Sequence, residues 1–431
     1  MIAQTLELGL SHEPVILPES RFVELPSWVE QAGSSVTHPR GFRAVGLHAG
    51  LKRSGRSDLA LLVSERPCTS AAVFTTNAAA AAPVRLTRAS DCSALRGVVV
   101  NAGNANACTG RRGLGDAARM RRVAADSLGL HPEQVAVCST GVIGVPLPID
   151  RVAAGIEQAA KRLAATGGPG FAAAIRTTDR IPKAGALTVR LPDHDEPVRI
   201  GLAAKGAGMI SPRMATTLGF VTTDAAVPQP ALDDLLRRVV ERSFNRVTVD
   251  GQQSTNDTVL CLANGASGVT VTGPALTAFE QALEAGLLAL AVALVGDGEG
   301  ATRTVRLRVS GARDDGEAEA VARAVGDSPL VKAAFFGADP NWGRVVQAAG
   351  QVVGSSHGAR FRVAVAYGDV EVVRDGEPAA LPPAGRRALA AVMREPEIDL
   401  TLALHRGGGT STIYFSDLTH EYVSVNADQT S

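Results

Sequence analysis

Short runs rich in β-branched residues alternate with alanine-rich segments along most of this chain, and this alternation limits the folds open to it. The runs at 97–100, 135–138 and 218–222 predict strands. The segments at 116–128 and 151–165 predict helices. The pattern alone therefore predicts a mixed α and β protein.

The clearest predicted helix lies at about 231–244, where five apolar residues recur at i, i+3, i+4, i+7 and i+8 and form one stripe. These residues are Leu232, Leu235, Leu236, Val239 and Val240. A second helix is predicted at roughly 276–294, and it ends at a glycine-rich turn that contains Glu299. No repeat period accompanies these elements.

Size and charge limit the functions that this chain can have. Its 431 residues are 45% apolar and 20% charged, which is enough material for two substantial lobes. Lys+Arg and Asp+Glu balance at 43 each, so no charge excess favours nucleic acid or an anionic membrane surface. A small neutral or zwitterionic ligand fits this balance better.

Several features predict a cytoplasmic protein without a metal. The five cysteines are odd in number and widely spaced, so they are predicted to be reduced, buried thiols. The histidines show no metal-ligand spacing. No secretory signal is apparent, and the most apolar stretch, 283–295, is shorter than a membrane span and is predicted to be a core helix. Residues 1–40 are rich in proline, serine and acids and are predicted to form an extension or a partly ordered arm.

The segment 205–220 carries the most chemical information. A glycine-rich approach and a proline turn precede Ala215, Thr216 and a run of small residues that enters a strand. Such a turn can expose one peptide bond to attack by the hydroxyl that follows it. Cleavage at Ala215–Thr216 would leave Thr216 with a free α-amine, whose usual pKa of about 7.7–8.0 suits a general base. Taken by itself, the segment also fits a strand that begins beneath a glycine turn.

The segment resembles the processing site of the ornithine acetyltransferase (glutamate N-acetyltransferase) family, and the resemblance extends from Gly41 to the C-terminus. Further blocks match in order: NAGNANACTG (101–110), CSTGVIG (138–144), TTDRIPK (177–183), SFNRVTVDGQQSTNDT (243–258), DGEGAT (297–302), FFGADPNWGR (335–344) and DLTHEYVSVNA (417–427). The resemblance implies an N-terminal extension at 1–40, an alpha fragment at 41–215 and a beta fragment at 216–431.

The resemblance also implies roles for particular residues. Thr216 would be the nucleophile, and Thr140 with Gly141 would form the oxyanion hole. A hydroxyl and a backbone N–H are the kind of preorganised donors that a tetrahedral intermediate needs. Substrate contacts would come from Thr177, Lys205, Thr216, Glu299, Asn426 and Ser431. A lysine suits an α-carboxylate, and a glutamate suits an amino group.

The implied activity is acetyl transfer from N2-acetylornithine to glutamate through an acetyl-threonine, with acetyl-CoA as a further donor in some family members and no other cofactor. The implied fold is α+β, a mixed sheet-and-helix sandwich like that of N-terminal-nucleophile proteins, with a second C-terminal α/β lobe. Two alpha and two beta fragments would assemble into a heterotetramer.

Departures from the family pattern leave alternatives open. Arg213, Thr217, Gly296 and Gln429 stand where the family often has other residues. One alternative is a paralogue of specialised metabolism that acts on another N-acylated amino acid. Another is an uncleaved amino-acid-binding relative. The segment 339–344 would lie near the active site or a subunit contact, or would be a capped turn that starts a helix.

Overall fold

The computed structural model describes residues 16–211, 217–354 and 361–428. Its strands are β1 (Val29–Ala32), β2 (Phe42–Leu47), β3 (Leu59–Ser64), β4 (Thr69–Phe74), β5 (Gly97–Asn104), β6 (Val135–Val142), β7 (Lys183–Val189), β8 (Val198–Lys205), β9 (Leu218–Thr223), β10 (Val247–Thr248), β11 (Thr258–Ala263), β12 (Thr304–Ala312), β13 (Ala364–Tyr367), β14 (Val370–Arg374), β15 (Glu377–Pro378), β16 (Glu397–Ala403) and β17 (Gly409–Ser416). Its α-helices are α1 (Ala82–Arg88), α2 (Gly110–Leu128), α3 (Ile149–Ala160), α4 (Gly168–Ala174), α5 (Gln229–Arg242), α6 (Gly273–Gly296), α7 (Asp315–Gly326), α8 (Pro329–Phe336), α9 (Trp342–Val353), α10 (Pro383–Val392) and α11 (His420–Asp428). Strands and helices thus alternate as the sequence predicts.

Two sheets lie face to face in the larger lobe. Sheet I has the strand order β1-β7-β8-β9-β11-β4, and sheet II has the order β2-β3-β5-β6. Side chains alternate between the two faces of each strand, so one face of each sheet meets the other sheet. Phe42 and Val98 of sheet II share a buried cluster with Phe220 and Leu260 of sheet I. Phe171 of α4 lies in the same cluster, with its ring centroid 5.1 Å from that of Phe220.

The outer faces of both sheets are covered by helices. On sheet I, Leu235 of α5 and Phe279 of α6 pack among the strand residues. On sheet II, Met120 of α2 and Ile156 of α3 do the same. The layers therefore run helix, sheet, sheet, helix, and the predicted mixed sheet-and-helix sandwich is confirmed.

The C-terminal lobe has its own sheet and core. Sheet III has the strand order β10-β17-β12-β16-β13-β14-β15 and contains parallel and antiparallel pairs. Val321 of α7, Phe335 of α8 and Val345 of α9 form a buried cluster with its strands. Asn341 caps α9 by accepting a hydrogen bond from the Arg344 N–H, so the 339–344 segment is the capped start of a helix.

The packed body begins earlier than the sequence predicts. β1 pairs antiparallel with β7 and so extends sheet I. Leu17 and Phe22 are buried in the cluster that α5 and α6 form with sheet I, and the Phe22 ring lies 5.8 Å from that of Tyr414. Apolar side chains spaced along a proline-rich segment thus bind it to the core, and residues 16–40 are not a loosely ordered arm.

Other differences have local causes. The helix predicted over 151–165 ends at Ala160, because the backbone of Ala164 instead forms two hydrogen bonds with that of Ala44 in β2. The five cysteines are free, but Cys138 and Cys261 alone are buried, whereas Cys68 and Cys92 are partly exposed and Cys108 is exposed, contrary to the prediction of buried thiols.

Helix α6 is long and apolar enough to cross a membrane, with a mean hydropathy of 1.7. However, 72% of its most apolar window is buried inside the protein. It is the predicted core helix.

Candidate active site

The end of β8 meets the end of β6 at the edge of the sandwich. Lys205, the last residue of β8, donates a hydrogen bond from Nζ to Thr140 Oγ1 at 3.1 Å, and both residues are buried. An ammonium group can only donate, so Thr140 must act as the acceptor and its own hydroxyl proton stays free. The structure thus brings together two predicted site residues that are 65 positions apart and leaves one of them with a proton to offer.

Gly141 forms a corner that no larger residue could occupy. Its φ is +130°, and a Cβ there would lie 2.3 Å from the backbone carbon of Gly103 and 2.5 Å from Asn104 N. Buried amides hold the surrounding strands: Asn256 Nδ2 donates to Ala105 O at 2.6 Å and to Ser139 O at 2.9 Å. The glycine in this sequence block therefore has a steric reason, and the corner is fixed by its neighbours.

Glu299 lies in the turn after α6, beside the loop that follows β8. Its backbone N–H donates to Ala207 O at 2.9 Å. Thr178 Oγ1 donates to one carboxylate oxygen at 2.7 Å, and Asn426 Nδ2 of α11 donates to the other at 2.8 Å. A Cβ on Gly208 would lie 2.6 Å from this carboxylate, so a larger residue there would displace Glu299 from its present position. Glu299 and Asn426 are therefore brought together as predicted.

Thr177 has a different position from its neighbour. Its backbone N–H donates to Asp179 Oδ2 at 3.0 Å, whereas it is Thr178 that contacts Glu299. The substrate role of Thr177 stays a prediction.

A cluster of buried charged residues, Asp179, Lys183 and Asp297, packs against this site. Lys183 Nζ lies 2.6 Å from Asp179 Oδ1 and 2.5 Å from Asp297 Oδ2. Asp179 also accepts the Gly206 N–H at 2.7 Å, which fixes the loop next to Lys205. Burial acts to raise the pKa of Asp179, but the charges of Lys183 and Lys205 and its hydrogen bonds hold it well below the usual range.

The pKa of Lys205 is also lowered, but here burial is the cause. The carboxylates of Asp179 and Glu299 oppose that change. Its ammonium is thus easier to deprotonate than a surface lysine, while two acidic neighbours favour the charged form.

The loop after Lys205 is strained and held in place. Met209 has a φ of +52°, which is rare for a residue with a Cβ. The Asp250 carboxylate accepts the Met209 N–H at 2.7 Å and the Ile210 N–H at 2.9 Å, which offsets the strain. The predicted cleavage bond between Ala215 and Thr216 follows this loop, and it lies outside the described residues, as does Ser431.

The first described residue after the predicted cleavage bond is Thr217, and its contacts belong to the same site. Its hydroxyl donates to Lys205 O, and its backbone N–H donates to the Asp257 carboxyl. Asp257 is buried, and within the described residues its Oδ2 has no hydrogen-bond partner. Burial raises the pKa of Asp257 well above its usual value, so this carboxyl tends to keep its proton.

Sequence reasoning missed the residues that hold the site together. They are Thr178, Asp179, Lys183, Asp250, Asp257 and Asp297. Each lies inside one of the sequence blocks 177–183, 243–258 and 297–302. The polar and charged residues of those blocks could therefore have been named as candidates from the sequence.

A model of the ArgJ family matches residues 43–431. The chain belongs to the ArgJ family. The arginine biosynthesis bifunctional protein ArgJ of Symbiobacterium thermophilum is 50% identical over 407 residues, covering 92% of this chain and 99% of that protein. The ArgJ protein of Geobacter sulfurreducens is 45% identical over 396 residues, covering 90% and 98%. Membership of the ArgJ family confirms the resemblance found in the sequence.

Solved ArgJ structures are also similar to part of the chain. The ornithine acetyltransferase of Mycobacterium tuberculosis, solved with ornithine, is 41% identical to it. The match covers 43% of this chain and 100% of that chain, with a TM-score of 0.41.

Proposed function

We propose that this protein cuts its own chain between Ala215 and Thr216 and then moves an acetyl group from N2-acetylornithine to glutamate through Thr216. Its ArgJ relatives, at 45–50% identity over nearly their whole length, carry the name arginine biosynthesis bifunctional protein, which supports an acetyltransferase of that pathway. The residues around the predicted nucleophile support the chemistry.

The observation that carries the proposal is the contact between Lys205 and Thr140 next to Thr217. The Thr217 hydroxyl bonds to the backbone of the same lysine whose ammonium holds Thr140. Thr216 directly precedes Thr217 in the chain, so the proposed nucleophile is covalently joined to a residue that contacts Lys205. A nucleophile beside a free hydroxyl proton and a glycine corner is the arrangement that acyl transfer requires.

Self-cleavage supplies both reactive groups. The Thr216 hydroxyl attacks the Ala215 carbonyl and the C–N bond breaks, which frees the Thr216 α-amine and leaves an ester between Ala215 and the Thr216 oxygen. Water then hydrolyses this ester, which releases the Ala215 carboxylate and restores the Thr216 hydroxyl. That amine then accepts the hydroxyl proton of the same residue when the hydroxyl attacks a substrate.

Transfer follows in two halves. The Thr216 oxygen bonds to the acetyl carbon of N2-acetylornithine, the negative oxygen is stabilised by the Thr140 hydroxyl and the Gly141 N–H, and ornithine leaves with the proton. One such donor is typically worth about 3–4 kcal/mol in the transition state. The amine of glutamate then attacks the ester, and the Thr216 oxygen regains its proton.

The charges of the site suit these substrates. Lys205 donates a hydrogen bond to Thr140, and the charge of Asp179 favours its protonated form, so it suits an α-carboxylate. Glu299, fixed at both oxygens, suits the side-chain ammonium of ornithine.

Further parts of the proposal follow from the same reading. The two fragments stay associated, because β8 and β9 pair within sheet I across the cut, and two such pairs form a heterotetramer in the cytoplasm. No metal or other cofactor is needed, and acetyl-CoA can serve as a co-substrate.

Purified protein tests the proposal in two steps. On a denaturing gel we expect two fragments, the second beginning at Thr216 by N-terminal sequencing, and a single full-length chain in a Thr216→Ala variant. An assay with N2-acetylornithine and glutamate should then form N-acetylglutamate only with the cleaved protein. A single uncleaved band for the wild type would refute self-processing, and cleaved protein without transfer would refute the substrates.

A further inference from the structure

Lys52 lies beside the site on a turn whose backbone is fixed. The fully buried carboxylate of Asp58 accepts the N–H groups of Ala49 at 2.6 Å, Leu51 at 2.8 Å and Lys52 at 2.9 Å. A carboxylate with three backbone donors orders the turn strongly. The position of the Lys52 side chain is therefore set by the fold.

The side chain of Lys52 runs from this turn toward the predicted oxyanion hole. A Cβ on Gly103 would lie 3.3 Å from Lys52 Cγ, and Gly103 is the residue against which Gly141 packs. Lys52 Nζ donates to Ser57 O at 2.7 Å and reaches Ala174 O at 3.5 Å. The stem of Lys52 thus packs beside Gly103, and its ammonium lies near Ala174, three residues before Thr177.

The charge of Lys52 is not neutralised by a nearby acid. In the part of the chain that the structure describes, Lys183 and Arg180 form ion pairs, whereas no carboxylate lies within 4.0 Å of Lys52 Nζ. Its neighbour Arg176 is likewise held by backbone carbonyls, those of Ala173 and Arg180.

The pKa of Lys52 reflects both its burial and the charges around it. Burial lowers the pKa of Lys52 to about 8, the charge of Asp58 raises it, and those of Arg176 and Lys205 lower it further. The side chain is half-buried and so keeps contact with solvent, and a pKa of about 8 leaves the amine mostly protonated at neutral pH. A bound anion would therefore reduce the repulsion among Lys52, Arg176 and Lys205.

We infer that Lys52, with Arg176 beside it, binds the side-chain carboxylate of the acceptor amino acid. The inference rests on the proposed function, because glutamate carries this extra carboxylate where ornithine carries an ammonium. Glu299 would repel it, and Lys205 is already matched to an α-carboxylate. Within the described residues, Lys52 and Arg176 are two neighbouring cations whose hydrogen bonds go to backbone carbonyls and not to carboxylates.

A comparison of two acceptors tests the role of Lys52. Glutamine shares the α-amine and α-carboxylate of glutamate and differs only in the neutral side-chain amide. In Lys52→Met, the ratio of kcat/KM for glutamate to kcat/KM for glutamine should fall by about tenfold or more, since a hydrogen bond to a charged group is lost. Exchange of ornithine with N2-acetylornithine should be affected far less than transfer to glutamate.

The matched control is Lys161→Met, which removes an exposed lysine at the end of α3 and should keep the wild-type ratio. If Lys52→Met lowers glutamate, glutamine and ornithine reactions equally, Lys52 is structural and the inference is wrong. The inference also fails if the variant keeps the wild-type ratio or loses only the use of acetyl-CoA. If the wild type itself shows no ornithine exchange, the proposed function has failed instead.

Discussion

Lys183 lies between two buried carboxylates, and its replacement by methionine tests whether the charge cluster beneath the site is a major source of stability. The side chain has no solvent exposure, and its Nζ contacts Asp179 at 2.6 Å and Asp297 at 2.5 Å. Methionine keeps an unbranched stem of similar length but removes the charge. Asp179 would then be a buried carboxylate without its closest cation.

The size of the loss can be estimated from the contacts that survive. Breaking a buried ion pair by removing one partner typically costs about 3–5 kcal/mol. Asp179 would keep the N–H groups of Gly206 and Thr177, and Asp297 would keep Arg180. We therefore expect the lower end, about 3 kcal/mol at pH 7. For a chain of this length that corresponds to a fall of about 3 °C in Tm if it unfolds as one unit.

The pH dependence separates charge from packing. In the wild type the pKa of Asp179 is depressed, so its stabilising contribution is present above the usual carboxyl range and is lost only as the pH falls through the depressed value. In Lys183→Met burial acts on Asp179 without the charge of Lys183, so that pKa rises above the usual carboxyl value, the carboxyl takes up a proton as the pH falls from 7 to 5, and the penalty shrinks. A packing defect would cost the same at every pH.

The assay is thermal unfolding of wild type and Lys183→Met between pH 7 and pH 5, with Lys161→Met as the exposed control. The gap between wild type and Lys183→Met should be largest at pH 7 and smaller by at least about 1 kcal/mol at pH 5. A gap that does not change with pH, or one no larger than that of Lys161→Met, would refute this reasoning.

Three further predictions concern the site. In Gly141→Ala, the new Cβ would lie 2.3 Å from the Gly103 backbone, so the corner must move and acetylation of Thr216, followed by mass spectrometry, should slow by about 100-fold or more; a normal rate would exclude Gly141 from the oxyanion hole. Thr178→Val removes the 2.7 Å hydrogen bond to Glu299 and should raise KM for N2-acetylornithine by about tenfold, more than Thr177→Val does; the reverse order would show that Thr178 does not position Glu299. As the pH rises from about 4 to 7, Asp257→Asn should gain stability relative to wild type. The reason is that the wild-type carboxyl, with its raised pKa, keeps its proton in the folded state while the unfolded state releases it, so the wild type loses stability and the asparagine variant does not. A stability difference that stays constant across this range in denaturant unfolding would contradict the raised pKa.

The sequence predicted elements better than it predicted their partners. The stripe of Leu232, Leu235 and Leu236 identified α5 because helical spacing is a local property. The contact between Lys205 and Thr140 depends on how two sheets stack, and no local pattern contains that information. Family resemblance placed both residues in one site, and the structure supplied the hydrogen bond.

Two adjacent threonines show that a resemblance between sequences does not predict which side chain of a turn faces the site. Thr177 and Thr178 belong to one block, and a match of letters gives both the same surroundings. Only the backbone turn decides that Thr178 faces Glu299 while the Thr177 N–H binds Asp179. Side-chain direction in a turn depends on dihedral angles that the block does not encode.

The proposed ping-pong transfer requires one pocket to accept two amino acids with opposite side-chain charges. A single lysine–glutamate pair would suit neither substrate, because each partner would neutralise the other before a ligand arrived. Here Glu299 is held by Thr178 and Asn426, whereas Lys52 Nζ is held by the backbone carbonyls of Ser57 and Ala174. Lys205 interacts electrostatically with both Glu299 and Lys52, and the α-carboxylate common to the two substrates would bind there. Under the proposed function, the ammonium of one substrate and the carboxylate of the other would bind to different fixed charges, Glu299 and Lys52.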